Sequence, residues 1–382
     1  MSLALMIKKI AFLSNVTYQV TLILAQVILI CFLYLESEVA KLDEFFHVLA
    51  LLLPCYTFLL LGLRQLRLSN VLNKEVLHFV RFIALAIFVL ISSLIVNEWT
   101  RVFYIVIFWK VNDLIIDAVS LELQLTKKYK MLLFLSFLRV TYFTIFIWFF
   151  NGTSTSLSFF LVPLLLLYLL YCIKVTNLHL YNRSMIKPMI YLGAVASISS
   201  LVVAYPRVVI GESENIQAGV LSLVSFVSYF YIIGQVIISA VLPIILPQVS
   251  SGKVPFEKSL KKQLFFVFTL SILFVLSVIS LVGFLVLIGW DFLSNQQLLL
   301  SVLLLINLPF IFLVNFVEAF SSVCGVEKAV VISTLLTALI SVALTNQIAT
   351  LWNGIGYCLV IFICFLFRFL FSYYFINRST YV

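Results

Sequence analysis

Lys110, Asp113 and Asp117 stand at i, i+3 and i+7 within the otherwise apolar run Arg101–Leu121. At 3.6 residues per turn, that spacing puts all three on one face of a helix. Lys110 and Asp113 can pair, which leaves Asp117 for another helix, a cation or a proton. Two readings stay open: a structural ion pair that locks the helix to a neighbour, or a polar face lining a substrate cavity. The second aspartate favours the cavity, because one internal pair would not require it. Three more ionisable residues, Arg139, Glu318 and Arg368, fall inside apolar runs. An ionisable side chain in hydrocarbon costs about 2.5–3.5 kcal/mol on insertion scales, so each needs a partner or a watery cavity. Arg139 lies near a helix end and can snorkel, whereas Glu318 and Arg368 are too deep for that and are expected to face inward. Uncharged polar faces add to the set. Asn15, Gln19 and Gln26 fall within a narrow helical arc, and Ser222, Ser225, Ser228, Gln235 and Ser239 fall within one of roughly 140°. The serines suit close helix packing, but Gln235 is harder to explain that way. Pro243 and Pro247 then bend the end of that helix and free backbone carbonyls.

The elements that must position these residues are apolar runs of membrane-spanning length. The chain has 382 residues, of which 64% are hydrophobic and 10% charged, which excludes a water-soluble core of this size. Twelve runs separate at Ile10–Leu33, Glu44–Leu63, Phe79–Val96, Arg101–Leu121, Met131–Phe150, Leu157–Val175, Met189–Val209, Gly219–Val249, Leu264–Trp290, Leu298–Val323, Ala329–Leu344 and Gly354–Phe375. Most are roughly 20 residues, enough to cross a ~30 Å hydrocarbon core as a helix. With a cytoplasmic N-terminus, 18 of the 24 lysines and arginines fall on the cytoplasmic side and 3 on the other, the remaining 3 lying inside spans. That bias fits twelve helices with both termini cytoplasmic. In this count Arg81 is a cytoplasmic loop residue and Arg207 belongs to the far side. The net charge of +9 therefore reflects topology and not affinity for nucleic acid. The N-terminal run is too long for a signal peptide and reads as an uncleaved first helix.

The expected fold class is thus all-α: a polytopic membrane protein with twelve transmembrane helices in two six-helix lobes around a central cavity. The basic segment Thr176–Pro188 marks the division, giving lobes at residues 1–182 and 183–382. No connection is long enough for a soluble catalytic domain. The six cysteines stand singly, without CxxC spacing, and read as small core residues. His47, His78 and His179 are isolated near span ends and are expected at the interface. There is no HExxH, GxSxG, Walker or Rossmann motif in the sequence. The reading is a non-enzyme that needs no cofactor and no metal.

Three passages carry a family likeness. They are Leu60-Leu-Gly-Leu-Arg64 through His78-Phe-Val-Arg81; Phe108-Trp-Lys110-Val-Asn-Asp113 through Asp117, Gln124 and the Lys127–Lys130 cluster to Arg139; and Ile198-Ser-Ser through Tyr205-Pro-Arg207, Gly211 and Gly219 to Leu242-Pro243-Ile-Ile-Leu-Pro247. In these the chain resembles the Wzx-type polysaccharide flippases of the multidrug/oligosaccharidyl-lipid/polysaccharide exporter superfamily. The resemblance implies a multi-pass protein of the bacterial inner membrane. Its substrate would be an undecaprenyl-diphosphate-linked oligosaccharide, moved to the periplasmic leaflet by alternating access. Membrane lipids and polysaccharide polymerase machinery would be its partners. Lys110, Arg139 and Arg368 would then face diphosphate or acidic sugar. Asp113, Asp117 and Glu318 would serve a cation, a proton or sugar hydroxyls, with Gln19, Gln26 and Gln235 completing the polar lining. The alternatives are a multidrug or other small-molecule exporter of the same superfamily, or a membrane-embedded polysaccharide polymerase or glycosyltransferase.

Overall fold

The computed structural model describes residues 3–60, 63–68, 72–96, 99–175, 186–212, 256–287, 295–319 and 327–379, with Leu221 and Ser225 besides. Among these residues every regular element is helical. The chain divides into two compact units, Met1–Ser200 and Leu201–Val382. The expected boundary at residues 182 and 183 lies outside the described residues, as does the eighth expected span apart from Leu221 and Ser225.

The first unit begins with α1 (Leu3–Leu59), which holds the first two expected spans in one helical element. Its neighbours show that it doubles back. Tyr18 packs with Ile116 and Phe32 lies near Arg101, whereas Phe45 stacks on Trp109 and Leu63, just past α1, packs with Leu121. The early part therefore runs against the direction of residues 101–121 and the later part runs with it, so the chain reverses between Phe32 and Phe45. Then come α2 (Leu63–Leu68), α3 (Lys74–Ile95), α4 (Arg101–Leu125), α5 (Tyr129–Phe149), α6 (Ser154–Val175) and α7 (Ile186–Glu212).

Helix α4 is the hub of this unit. Thr100 caps it, its hydroxyl accepting from the Phe103 amide at 3.2 Å. Eighteen of its 25 residues are buried, Lys110, Asn112, Asp113 and Glu122 among them. Helices α5 and α6 lie outside it and turn Phe134, Phe137, Leu166, Leu167 and Leu170 outward. Such faces belong against acyl chains, and exposed Trp99 and Trp148 suit the membrane interface. Eight stretches among the described residues are long and apolar enough to cross a membrane. Helix α4 is not one of them, and its own charges are the reason.

The second unit contains the end of α7, α8 (Phe256–Leu287), α9 (Asn295–Ile306), α10 (Leu308–Ala319), α11 (Glu327–Leu344) and α12 (Thr350–Ser379), the last two joined by a π-helical turn at Thr345–Ala349. Helices α9 and α10 share one span, Leu299–Glu318, broken at Asn307. Pro309 sits in the first turn of α10, where its missing N–H breaks no helical bond. The Asn307 side-chain amide donates to the Cys358 carbonyl at 3.1 Å and ties the break to α12. Helices α11 and α12 pack antiparallel: Ser333 meets Ser372 at 3.1 Å, and the Cys364 thiol points to the Thr337 carbonyl.

Proline within α7 has a specific compensation. Pro206 cannot donate to the Val202 carbonyl one turn earlier. Ser341 of α11 supplies that bond across the helices at 3.1 Å. Tyr205 adds a second tie, donating to Asn346 of the π-helical turn at 3.1 Å.

Candidate functional site

The α4 cluster is built from one helix that cannot face lipid and three that neutralise it. Asp113 takes Arg139 of α5 as its partner. Asp117 accepts from Arg81 of α3 at 2.9 Å. Lower on the helix, Glu122 accepts two bonds from Arg67 of α2, at 2.7 and 3.2 Å. Each pair ties α4 to a different neighbour, so the charges both demand and direct its central position. Truncating one member of a buried pair costs about 3–5 kcal/mol where no other group or water can take up the charge that is left.

Lys110 does not take the Asp113 carboxylate that spacing alone makes available. Among the described residues it has no ion pair within 4.0 Å. Its ammonium instead lies 3.7 Å from the Trp109 ring centroid and 4.7 Å from that of Tyr56. A desolvated cation–π contact is worth about 2 kcal/mol, enough to hold an ammonium but less than a buried ion pair. Tyr56 of α1 occupies the centre of the group, within electrostatic range of Asp113, Asp117, Arg81 and Arg139. The Arg139 guanidinium lies 5.9 Å from the Tyr18 ring. Among the described residues there are three cations around Tyr56, Lys110, Arg81 and Arg139, and two carboxylates, Asp113 and Asp117. Asp117 is the accessible carboxylate, its side chain 23% exposed where Arg81 is 1% and Arg139 2%.

The second unit carries a different arrangement. Arg368 of α12 donates through Nε to Glu318 Oε1 at 2.6 Å and through Nη2 to Oε2. Ser372 adds a longer bond to the same carboxylate at 3.4 Å.

The structure thus brings Lys110, Asp113, Asp117 and Arg139 into one cluster and Glu318 and Arg368 into another. The side chains of Gln19 and Gln26 lie outside the described residues, as does all of Gln235. Arg81 was counted among the loop cations, yet its side chain is buried in α3; its place inside the run Phe79–Val96 was the signal that it needed an acid. Arg207, also expected in a loop, is buried within α7. The expectation of an interfacial His78 is likewise corrected. It is fully buried, its Nδ1 lying 3.2 Å from the Tyr168 hydroxyl of α6. Tyr56 and Trp109 gave no sequence signal, since aromatic residues occur in eleven of the twelve expected runs. Among the described residues no group of three potential ligands could hold a metal ion.

No family model matches the sequence, and no curated relative matches it. Solved structures do. A eukaryotic MATE transporter is similar with a TM-score of 0.64 at 15% identity, over 98% of this chain and 97% of that one. A multidrug resistance MATE family transporter of the MOP superfamily, in an outward-facing conformation, gives 0.61 at 12%, over 98% and 97%. A MOP superfamily transporter from Pyrococcus furiosus, described as having a binding pocket of reversed polarity, gives 0.60 at 11%, over 98% and 96%. These neighbours are transporters, not enzymes, and this chain has their all-α, multi-span membrane fold along nearly its whole length.

Proposed function

We propose that this chain is a membrane exporter of the MOP type. The observation that carries the reading is the fold, matched over 98% of the chain to MATE transporters. A buried ionised cluster inside a helix hub supports it, because charges at this depth are costly unless something uses them. Export of a small molecule, as the multidrug resistance description of one neighbour suggests, is the leading form of this proposal. The chain would lie in a bacterial inner membrane with both termini cytoplasmic, in lobes of residues 1–182 and 183–382, as the charge bias and the resemblance suggest.

A specific observation favours a second reading. Among the described residues three cations face two carboxylates in the α4 cluster, and Lys110 is the one without an ion pair to an acid. An anionic cargo such as the diphosphate of a lipid-linked oligosaccharide complements that surplus, and polysaccharide polymerase machinery would be the partner. Of the three cations assigned to diphosphate by resemblance, Arg139 and Arg368 already hold carboxylates, so Lys110 becomes the main contact.

Two measurements on cells producing the chain separate these forms. Small-molecule export gives faster ethidium efflux than in cells lacking it. Oligosaccharide flipping restores surface glycan in a strain without its own flippase and leaves ethidium efflux unchanged. A chain that is abundant in the membrane and does neither, across a panel of drugs and glycan strains, contradicts the exporter reading.

A further inference from the structure

Two cations lie within range of one carboxylate in the α4 cluster. Asp113 accepts from Arg139 and makes no other hydrogen bond among the described residues. Lys110 precedes it by three residues on the same helix, the spacing at which side chains meet. Its ammonium rests on the rings of Trp109 and Tyr56 instead. Arg139, for its part, uses only some of its donors, since Nη1 is buried and has no hydrogen-bond partner among the described residues.

We infer that Lys110 is the standby partner of Asp113: when Arg139 turns to another anionic group, Lys110 leaves its aromatic seat and takes the carboxylate. The reason is the cost of the alternative. The Asp113 side chain is 8% exposed, and a carboxylate buried that deeply cannot be left without a paired cation. Lysine suits the part, being a point charge on a flexible four-carbon stem with three rotatable donors. The aromatic seat keeps the ammonium satisfied while Arg139 holds the acid, and yields it when the acid becomes free. Arg139 is thereby released with its planar fork available to a phosphate or carboxylate. The purpose of the exchange rests on the exporter reading, in which that anion belongs to the cargo. The exchange itself does not.

The test is therefore made without cargo. Melting temperatures of the purified full-length protein in detergent are compared for Lys110→Gln, Arg139→Gln and the double variant, each with Asp113 and with Asp113→Asn. Each single variant is expected to lose little, because the other cation serves Asp113. The double variant loses more than the sum, and the excess vanishes with Asp113→Asn. Additive losses in both backgrounds overturn the inference. A second readout covers a double variant that does not fold. The chain has five tryptophans. With Trp109 as the only one left, Arg139→Gln shifts its emission to that of Lys110→Met, since the ammonium has left the indole. Emission unchanged by Arg139→Gln also overturns the inference. Absence of transport by the wild-type protein would sink the exporter reading and leave both results standing.

Discussion

Among the described residues each unit carries a buried ionic site, and the two differ in how their charges are matched. In the second unit Arg368 and Glu318 meet fork to fork, with Ser372 on the same carboxylate. In the first, α4 spreads its acids over three arginines from three helices and keeps a lysine on aromatic faces. A matched bidentate pair, with both carboxylate oxygens engaged by one guanidinium, is a fastening. A cluster with three cations around two carboxylates has a charge that can be redirected. The comparison teaches that depth alone does not mark a transport residue. What marks one is a buried charge whose partner can be exchanged.

This contrast can be broken first at the fastening. Arg368→Ala takes the guanidinium away from Glu318 and is expected to cost about 3–5 kcal/mol, seen as a fall in membrane abundance and melting temperature. Arg368→Met with Glu318→Met should recover most of that loss, since a buried pair exchanged for apolar side chains is often neutral. Normal abundance of Arg368→Ala with export lost would instead make Arg368 a cargo contact.

A smaller effect is expected at Arg81→Gln. It removes the Arg81 guanidinium from Asp117, but that carboxylate is partly exposed and can take water, so the melting temperature should fall by less than in Arg368→Ala. An equal or larger fall would mean that the α4 cluster is the stiffer of the two sites. Smaller still is Ser341→Ala, which removes the cross-helix donor to the carbonyl left open by Pro206. About 0.6 kcal/mol is expected, the average for interhelical hydrogen bonds in membranes. Restoring the amide donor with Pro206→Ala should make Ser341→Ala silent in the melting temperature, and a persistent loss would deny the compensation.

Much of this fold was legible in the sequence because lipid imposes a length and a composition on each span. The run Arg101–Leu121 was recognisable as the exception, and Lys110, Asp113 and Asp117 do share one neighbourhood. Their partners were not legible. Local spacing offered Asp113 to Lys110, but Arg139 reaches it from α5, and only tertiary packing decides between a neighbour on the same helix and one across an interface. Arg81 was misplaced because counting charges by loop takes no account of a cation just inside a helix end. The break at Asn307 and the joining of Ala329–Leu344 to Gly354–Phe375 through a π-helical turn leave no mark in hydropathy, which registers composition and not backbone hydrogen bonding.

The most direct measurement compares transport per folded molecule in Lys110→Met with that in the Arg368→Met/Glu318→Met double variant. Whichever of ethidium efflux or surface glycan the wild-type chain supports is measured and normalised to folded protein in the membrane. Loss of transport in Lys110→Met at wild-type abundance, with transport retained in the double variant, is the expected result. Full transport by Lys110→Met together with its loss in the double variant would contradict it and move the working site to the second unit.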